Sequence, residues 1–239
     1  MTQRPAGDIS APPGPRTNWK RMLKVWGLLA ATMTVGALAC WSAMCAALPE
    51  VPEAIPGATG VPEAEELADL IWPAENPNTH SWQYIVVHHS GTPSATVEAI
   101  RRYHVGIGFE GVGYHFVINN GRAPGTADGS ITPTSRWSEQ RPGAHARIAH
   151  HPEYNQAGIG ICLVGNFEKE PPTPKQMVAL ERLVLALCRR YDIRLHAIVG
   201  HGELKNTKCP GRLFPMESFL MDVRQAMLLE HLHTADTSP

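Results

Sequence analysis

Three side chains of metal-binding types stand at positions where strands end or loops follow. His88 closes the apolar run YIVVHHS (84–90), His201 follows the apolar segment AIVG, and Cys209 comes eight residues after His201. Side chains at strand ends and in the following loops can converge on one site. Zinc hydrolases use three ligands of these types and keep a fourth position for water. The three residues are a candidate zinc site, although spacing alone leaves ordinary hydrogen-bonded roles open for both histidines.

The other histidines and cysteines of this region have simpler interpretations. His89 points to the opposite strand face from the preceding histidine, because strand side chains alternate. Cys162 lies in an apolar strand and Cys188 on the apolar face of a helix, as is typical of free cysteines that act as small hydrophobic residues. His104 and His115 are likewise interpreted as structural.

Strands and helices interleave along the chain, which predicts an α/β fold with a central mixed β-sheet flanked by helices. Apolar, β-branched runs predict strands within 84–90, 112–118, 158–167 and 197–201. Apolar residues at helical spacing predict helices for EAEELADLIW, SATVEAIRRYHVG, TPKQMVALERLVLALCRRYDI and MESFLMDVRQAMLL. The third helix has Thr173 as its N-cap, Pro174 at its first position and Gln176 completing a capping box.

The composition is that of an ordinary globular protein and gives no support to nucleic-acid binding. The 239 residues include 43% hydrophobic residues and carry a formal net charge of -1. A near-neutral chain lacks the bulk positive charge on which nucleic-acid binders rely, so we expect no nucleic-acid partner. Twelve histidines favour metal or acid–base chemistry. The five cysteines show no CxxC pair and no regular disulfide framework.

An uncharged apolar segment of 24 residues runs from Val25 to Leu48. About 20 residues suffice to cross a bilayer as a helix. Basic residues precede the segment and glutamates follow it, so the positive-inside rule places the N-terminus in the cytoplasm. The predicted organisation is a disordered cytoplasmic tail at 1–21, a signal anchor or signal peptide at 22–48, a Pro-rich linker at 49–63, a functional domain at 64–230 and a disordered tail at 231–239.

Three interpretations of the apolar segment stay open. A retained anchor is favoured because the segment exceeds the ~7–15 apolar residues of a signal peptide. The small-residue triplets ALA (37–39) and CAA (45–47) would suit a cleaved signal peptide. ALAC ends in Cys40, as in a lipoprotein signal, but lacks a large aliphatic residue three positions earlier. We therefore expect a cell-envelope protein with a single-pass membrane anchor and its domain on the periplasmic or extracytoplasmic side, or else a secreted protein or lipoprotein.

Five sequence blocks follow one another in the domain: VVHHSGT, GVGYHFVI, GAHA, YNQAGIGICLVGNF and HGELKNTKCPG. In this order they resemble the N-acetylmuramoyl-L-alanine amidase family 2, with its phage-lysozyme and peptidoglycan-recognition-protein branches as the closer match. The similarity covers about residues 80 to 225 and leaves the N-terminal segments outside. Residues 125–142 look like a longer version of the family's loop before GAHA.

The resemblance implies the amidase/peptidoglycan-recognition fold and a zinc site held by His88, His201 and Cys209. It also implies that Tyr114 lies beside the metal and assists catalysis, and that Thr207 is a second donor to the developing oxyanion.

The substrate groove is implied to include His145 and Asn155. Some bacterial relatives carry Asp as the third ligand and a Glu in the strand block, where this chain has Cys209 and Val164. A glutamate base at that strand position is therefore excluded, and the tyrosine becomes the favoured assistant.

The function implied by the resemblance is zinc-dependent hydrolysis of the amide between N-acetylmuramic acid and L-alanine in peptidoglycan. The expected partners are muramyl peptides and, through the N-terminal segment, a membrane. The alternative is a membrane-tethered module that binds peptidoglycan without turnover. Relatives that only recognise the polymer typically lose the cysteine ligand, so the presence of Cys209 favours the enzyme.

Overall fold

The computed structural model describes residues 62, 64–71, 81–146 and 151–236. These residues belong to one compact unit, Gly57–Pro239. The predicted tail at 1–21, the apolar segment at 22–48 and all of the Pro-rich linker except Pro62 lie outside the described residues. Within the described ranges, no helix has both the length and the apolar character that a membrane span requires.

A mixed sheet forms the centre of the described domain, as predicted. Its strands are β1 (Tyr84–His89), β2 (Phe116–Asn120), β3 (Asp128–Pro133), β4 (Gly158–Leu163) and β5 (Ile198–Gly200), in the order β3-β2-β4-β1-β5. β1 runs parallel to β4 and β5, and β2 runs parallel to β4 but antiparallel to β3. The carboxyl ends of β1 and β5 therefore meet at the same edge of the sheet.

Helices flank the sheet, which confirms the predicted fold class for this domain. They are α1 (Ala64–Ile71), α2 (Val97–Gly106), α3 (Ser135–Ser138), α4 (Glu153–Gln156), α5 (Pro174–Tyr191), α6 (His201–Leu204) and α7 (Met216–Asp236), with a 3-10 turn at Leu195–Ala197. The predicted capping box at the start of α5 is present: Thr173 accepts from the Gln176 backbone N–H, and the Gln176 side chain accepts from the Thr173 N–H.

The two faces of the sheet are covered differently. The larger apolar layer lies on one face, where Ile85 and Val87 of β1 pack with the buried side of α5. The smaller layer, on the opposite face, joins Ile100 of α2 to Val117 of β2. Successive side chains of a strand point to opposite faces of the sheet, so His88, which follows Val87, lies on the face that α2 covers. The strand alternation thus directs His88 away from the main core.

The segment at 125–142 is more regular than the long loop that the sequence suggested. It contains β3, which pairs with β2 from Phe116↔Pro133 to Asn120↔Asp128, followed by α3. β3 lies at the edge of the sheet, and its burial alternates only weakly. A strand in this position needs few apolar residues, and its sequence DGSITP shows little apolar periodicity. The pairing partner, rather than local propensity, makes this segment a strand.

Several boundaries differ from the prediction, among them the end of β4, which lies at Leu163 rather than at residue 167, and the two described next. β2 begins at Phe116 rather than at residue 112; before it, the Gly113 carbonyl accepts from the backbone N–H of Ala144 in the facing loop at 3.0 Å. α7 continues to Asp236, six residues into the predicted tail. No glycine or proline interrupts residues 231–236, so nothing in that stretch ends the helix.

Candidate metal centre

The structure brings the three predicted ligands together at the sheet edge. His88 lies near the end of β1, His201 begins α6 directly after β5, and Cys209 lies in the loop beyond α6. One ligand atom from each residue lies within 4.8 Å of the other two. The parallel pairing of β1 with β5 accounts for this convergence, because it places the two histidine-bearing strand ends side by side.

The donor set fits zinc. Two imidazole nitrogens and one cysteine sulfur are ligands that zinc prefers in four-coordinate sites, with bonds of about 2.0–2.1 Å to nitrogen and about 2.3 Å to sulfur. A tetrahedron of those bond lengths separates nitrogen from sulfur by about 3.5 Å. Nδ1 of His88 lies 3.7 Å from Sγ of Cys209, close to that separation. Three protein ligands leave the fourth position open.

Burial keeps the two histidines in the neutral form that can bind a metal. It lowers the pKa of His88 well below its usual value, and the neighbouring His145 and His201 lower it further. Burial also lowers the pKa of His201, against the opposing effect of the Ala146 carbonyl that its ring contacts.

The cysteine ligand is protonated unless a cation accompanies it. Burial raises the pKa of the Cys209 thiol to about 12, and the backbone N–H of His89, 3.3 Å from Sγ, lowers it only in part. A thiolate here therefore needs a positive partner, which a divalent metal would supply.

His145 and Asn155, which the sequence assigned to the substrate groove, lie behind the ligands. His145 is 7% exposed, with Nδ1 3.1 Å from Nε2 of His88 and Nε2 3.1 Å from the Gly158 carbonyl oxygen. The Asn155 side-chain oxygen accepts from the backbone N–H groups of His145 and Ala146 at 3.0 and 2.9 Å. These side-chain atoms bond to protein groups, and the substrate-binding role stays a prediction.

Tyr114 lies beside the candidate ligand His88, as the resemblance implied. It precedes β2, and its ring centroid lies 5.1 Å from that of His88. Burial raises the pKa of the phenol well above its ordinary value, and the nearby thiols of Cys162 and Cys209 raise it further. The hydroxyl is therefore protonated at neutral pH and can donate a hydrogen bond.

Thr207 is exposed in the loop that carries the cysteine ligand. Its Oγ1 accepts from the backbone N–H of Cys209 at 3.4 Å. A hydroxyl that accepts one hydrogen bond can still donate another, so the predicted donor role is chemically possible in this conformation.

A groove of about 470 Å³ lies next to the three candidate ligands. Tyr114 lines this groove, and its ring centroid is 5.1 Å from that of His88. One part of the wall is hydroxyl-bearing and the other is apolar. The lining consists of Ser90, Gly91, Thr92, Ser94, Ala95, Ala99, Ile100, Tyr103, His104 and Tyr114.

The histidines interpreted as structural make hydrogen bonds within the protein, as expected. Nδ1 of His89 accepts from the Phe167 backbone N–H at 3.1 Å. Nδ1 of His115 accepts from the Gly160 backbone N–H at 2.9 Å. Sequence reasoning missed the main-chain groups at the ligands, namely the His89 N–H and the Ala146 carbonyl, because every residue type offers such groups and no motif marks them.

The model of the family described as N-acetylmuramoyl-L-alanine amidase matches residues 78–212, which is more than half of the chain. The chain belongs to the N-acetylmuramoyl-L-alanine amidase family. The matched region includes His88, Tyr114, His201 and Cys209. Membership confirms the resemblance that the five sequence blocks indicated.

Relatives in this family include both recognition proteins and enzymes. A peptidoglycan-recognition protein of Drosophila simulans is 31% identical over 137 residues, covering 54% of this chain and 68% of its own length. Peptidoglycan-recognition protein LB of Drosophila melanogaster is 30% identical over 173 residues, covering 65% and 68% respectively. The solved N-acetylmuramoyl-L-alanine amidase LysC of Clostridium intestinale URNW is 31% identical, covers 62% of this chain and 89% of its own, and superposes with a TM-score of 0.52.

Proposed function

We propose that the protein is a zinc-dependent amidase that hydrolyses the bond between the lactyl group of N-acetylmuramic acid and the L-alanine of the stem peptide. The observation that carries the proposal is the convergence of His88, His201 and Cys209, whose ligand atoms lie within 4.8 Å of one another. Family membership and the likeness to a solved N-acetylmuramoyl-L-alanine amidase support the same reaction.

The three residues would hold zinc through two neutral imidazoles and one thiolate. The chemistry that zinc supplies in such a site is polarisation of a carbonyl and acidification of a water molecule, which an unreactive amide requires. The lowered pKa values of His88 and His201 support ligation, because neutral rings keep a lone pair available at neutral pH.

Tyr114 and Thr207 would stabilise the charge that develops on the carbonyl oxygen. The Tyr114 phenol keeps its proton, lies beside His88 and lines the groove, so it can donate to an oxyanion formed at the groove's metal end. Thr207 has a hydroxyl proton to offer from the loop next to Cys209. Loss of one such donor typically costs about 10²–10³ in turnover.

The chemistry of the groove suits a neutral, amide-rich substrate. The hydroxyls of Ser90, Thr92 and Ser94 offer donors and acceptors to sugar and peptide amide groups. The apolar side chains of Ala99 and Ile100 offer contact to the methyl groups of a lactyl–alanine unit. Among the described residues that line it, none is Lys, Arg, Asp or Glu, which fits an uncharged segment around the scissile bond.

The alternative function is recognition of peptidoglycan without turnover; the Drosophila relatives, which are peptidoglycan-recognition proteins, support the recognition of this polymer. A measurement of peptide release distinguishes the amidase from the recognition protein. The purified full-length chain is analysed for metal and incubated with cell-wall sacculi and with a defined muramyl peptide. The amidase proposal expects one zinc per chain and release of stem peptides that begin with a free L-alanine amino group. Zinc-loaded protein that binds sacculi but releases no peptide would leave recognition as the function.

We also propose that the domain acts in the cell envelope, held to a membrane by residues 22–48. The support is the uncharged stretch from Val25 to Leu48, with basic residues before it and acidic residues after it. N-terminal sequencing and mass measurement of the membrane fraction test this location. A mature protein that starts near Leu48 would exclude the anchor, and one that starts at a lipid-modified Cys40 would indicate a lipoprotein.

A further inference from the structure

We propose that the His145–Ala146 segment, held in place by Asn155, determines which ring nitrogen of both histidine ligands faces the metal. These residues are positioning residues, since they touch the ligands and not the reacting atoms. The inference rests on the proposed zinc site, but it concerns the proton positions of His88 and His201, which can be measured without catalysis.

The proton positions between His88 and His145 follow from their partners. Nε2 of His145 lies 3.1 Å from the carbonyl oxygen of Gly158, which can only accept, so this nitrogen carries a proton. A neutral imidazole then has a bare Nδ1, and that atom lies 3.1 Å from Nε2 of His88. His88 must therefore donate from Nε2. Its own Nδ1, 3.7 Å from Sγ of Cys209, is left with a free lone pair.

The adjacent residue orients the other histidine ligand in the same way. The carbonyl oxygen of Ala146 lies 3.1 Å from Nε2 of His201. A carbonyl only accepts, so Nε2 of His201 carries a proton and Nδ1 is the nitrogen left to bind a metal. Two consecutive residues, one through its ring and one through its backbone, thus fix equivalent tautomers on ligands from two different strand ends.

Asn155 holds these two residues in place. Its side-chain oxygen accepts from both backbone N–H groups, of His145 at 3.0 Å and of Ala146 at 2.9 Å. Its backbone carbonyl also accepts from the Gly143 N–H at 2.8 Å. A single side chain therefore anchors the segment that contacts both ligands. Partners of this kind orient a metal-binding imidazole and raise its basicity.

The surroundings of His145 leave room for its ring. A Cβ added at Gly143 or at Gly160 would overlap the His145 imidazole. The two glycines lie on different segments, one in the loop before His145 and one in β4. Their lack of side chains leaves space for the ring, whose Nδ1 lies 3.1 Å from Nε2 of His88.

The test compares two substitutions of nearly the same shape. His145→Asn keeps an acceptor oxygen near the position of Nδ1, whereas His145→Leu has similar volume and no acceptor. Loss of a partner of this kind typically weakens metal binding about 10–100-fold. We expect that loss in His145→Leu and recovery of most of it in His145→Asn, with zinc affinity measured by chelator competition on the full-length protein. The pair Asn155→Leu and Asn155→Asp repeats the comparison at the anchor.

Nitrogen-15 spectra of the side-chain imidazoles supply a second readout that does not need bound metal or activity. In the metal-free wild type we expect His88 and His201 to carry their proton on Nε2, and we expect His88 to lose that preference in His145→Leu. Thermal melting of each variant checks that the fold persists.

The possible outcomes separate this inference from the function on which it rests. Wild type that binds zinc while His145→Leu matches it in affinity and tautomer would overturn the positioning role alone. Wild type that shows the Nε2–H tautomers but binds no zinc would support the positioning role and overturn the proposed zinc site. An Nδ1–H tautomer for His88 in the wild type would overturn the inference directly.

Discussion

Sγ of Cys209 lies 3.7 Å from Nδ1 of His88, although 121 residues separate the two in sequence. Such a contact between a buried thiol and a buried neutral imidazole gains little by itself, because a thiol is a weak hydrogen-bond donor. The arrangement becomes favourable when a cation lies between the two atoms and converts the thiol to a thiolate. The pair therefore offers two donor atoms to one metal ion, as the proposed zinc site requires.

The first prediction concerns the thiolate ligand. Cys209→Ala should lose stoichiometric zinc and, with it, any amidase activity, because two imidazoles alone leave the site one ligand short. The matched control is Cys188→Ala, which removes a buried thiol from α5 without touching the site. Metal analysis after gel filtration, with muropeptide release measured in parallel, checks both variants. Equal zinc content in Cys209→Ala and Cys188→Ala would contradict the site.

The convergence of His88, His201 and Cys209 could be predicted from the sequence, because it follows from strand ends and the order of the blocks, whereas their role as zinc ligands was implied by the resemblance and stays a prediction. His88 lies at the end of the apolar run YIVV and His201 follows AIVG, and each run contributes a strand to the sheet. The face of His88 also followed from alternation alone. These features depend on local periodicity, which is visible in sequence.

The roles of His145 and Asn155 were less accessible, because they depend on contacts between distant segments. The resemblance suggested a groove role, which stays a prediction, and gave no sign that their side chains bond to His88 and to backbone N–H groups. The burial of His145 depends on Gly160 of β4, which leaves space for its ring. Likewise β3 exists because it pairs with β2, and its own residues give little indication of a strand.

The second prediction separates catalysis from metal binding at Tyr114. Tyr114→Phe should keep zinc and stability but lower turnover by about 10²–10³, because in the proposed reaction the phenol would donate to the oxyanion and would not be a ligand. Tyr84→Phe, at the opposite end of β1 from His88, is the control and should keep full activity. The kinetic constants on a defined muramyl peptide, measured together with zinc content, test this. A parallel loss of zinc in Tyr114→Phe would show that the residue supports the site structurally instead.

The third prediction concerns the donor on the cysteine loop. Thr207→Val preserves shape but removes the hydroxyl, so we expect reduced kcat with zinc retained, whereas Thr207→Ser should stay near wild type. Because Oγ1 also accepts from the Cys209 N–H at 3.4 Å, zinc affinity must be measured in the same samples. If Thr207→Val weakens zinc binding in proportion to activity, the hydroxyl serves to hold the loop and not to stabilise the oxyanion.

The fourth prediction concerns the pH dependence of stability and the buried His104. Burial, together with the positive charge of Arg136, lowers the pKa of this ring in the folded state relative to the unfolded value of 6.5. The unfolded chain therefore takes up the proton first as pH falls. The contribution of His104 is fully present above about pH 6.5 and is lost as pH falls through the lower folded-state pKa. Protonation would also remove the Nδ1 lone pair that accepts from the Gly113 N–H at 2.9 Å.

His104→Asn isolates this contribution, because an Asn oxygen can accept from Gly113 in place of Nδ1 and does not titrate. We expect urea unfolding of the metal-free protein between pH 7.5 and 5 to show a smaller loss of unfolding free energy in His104→Asn than in wild type. His196→Asn, at an exposed position of the 3-10 turn, removes one histidine from the surface as a matched control. If His104→Asn shows the same slope as wild type, or if His196→Asn flattens it equally, then the buried ring does not couple protonation to folding.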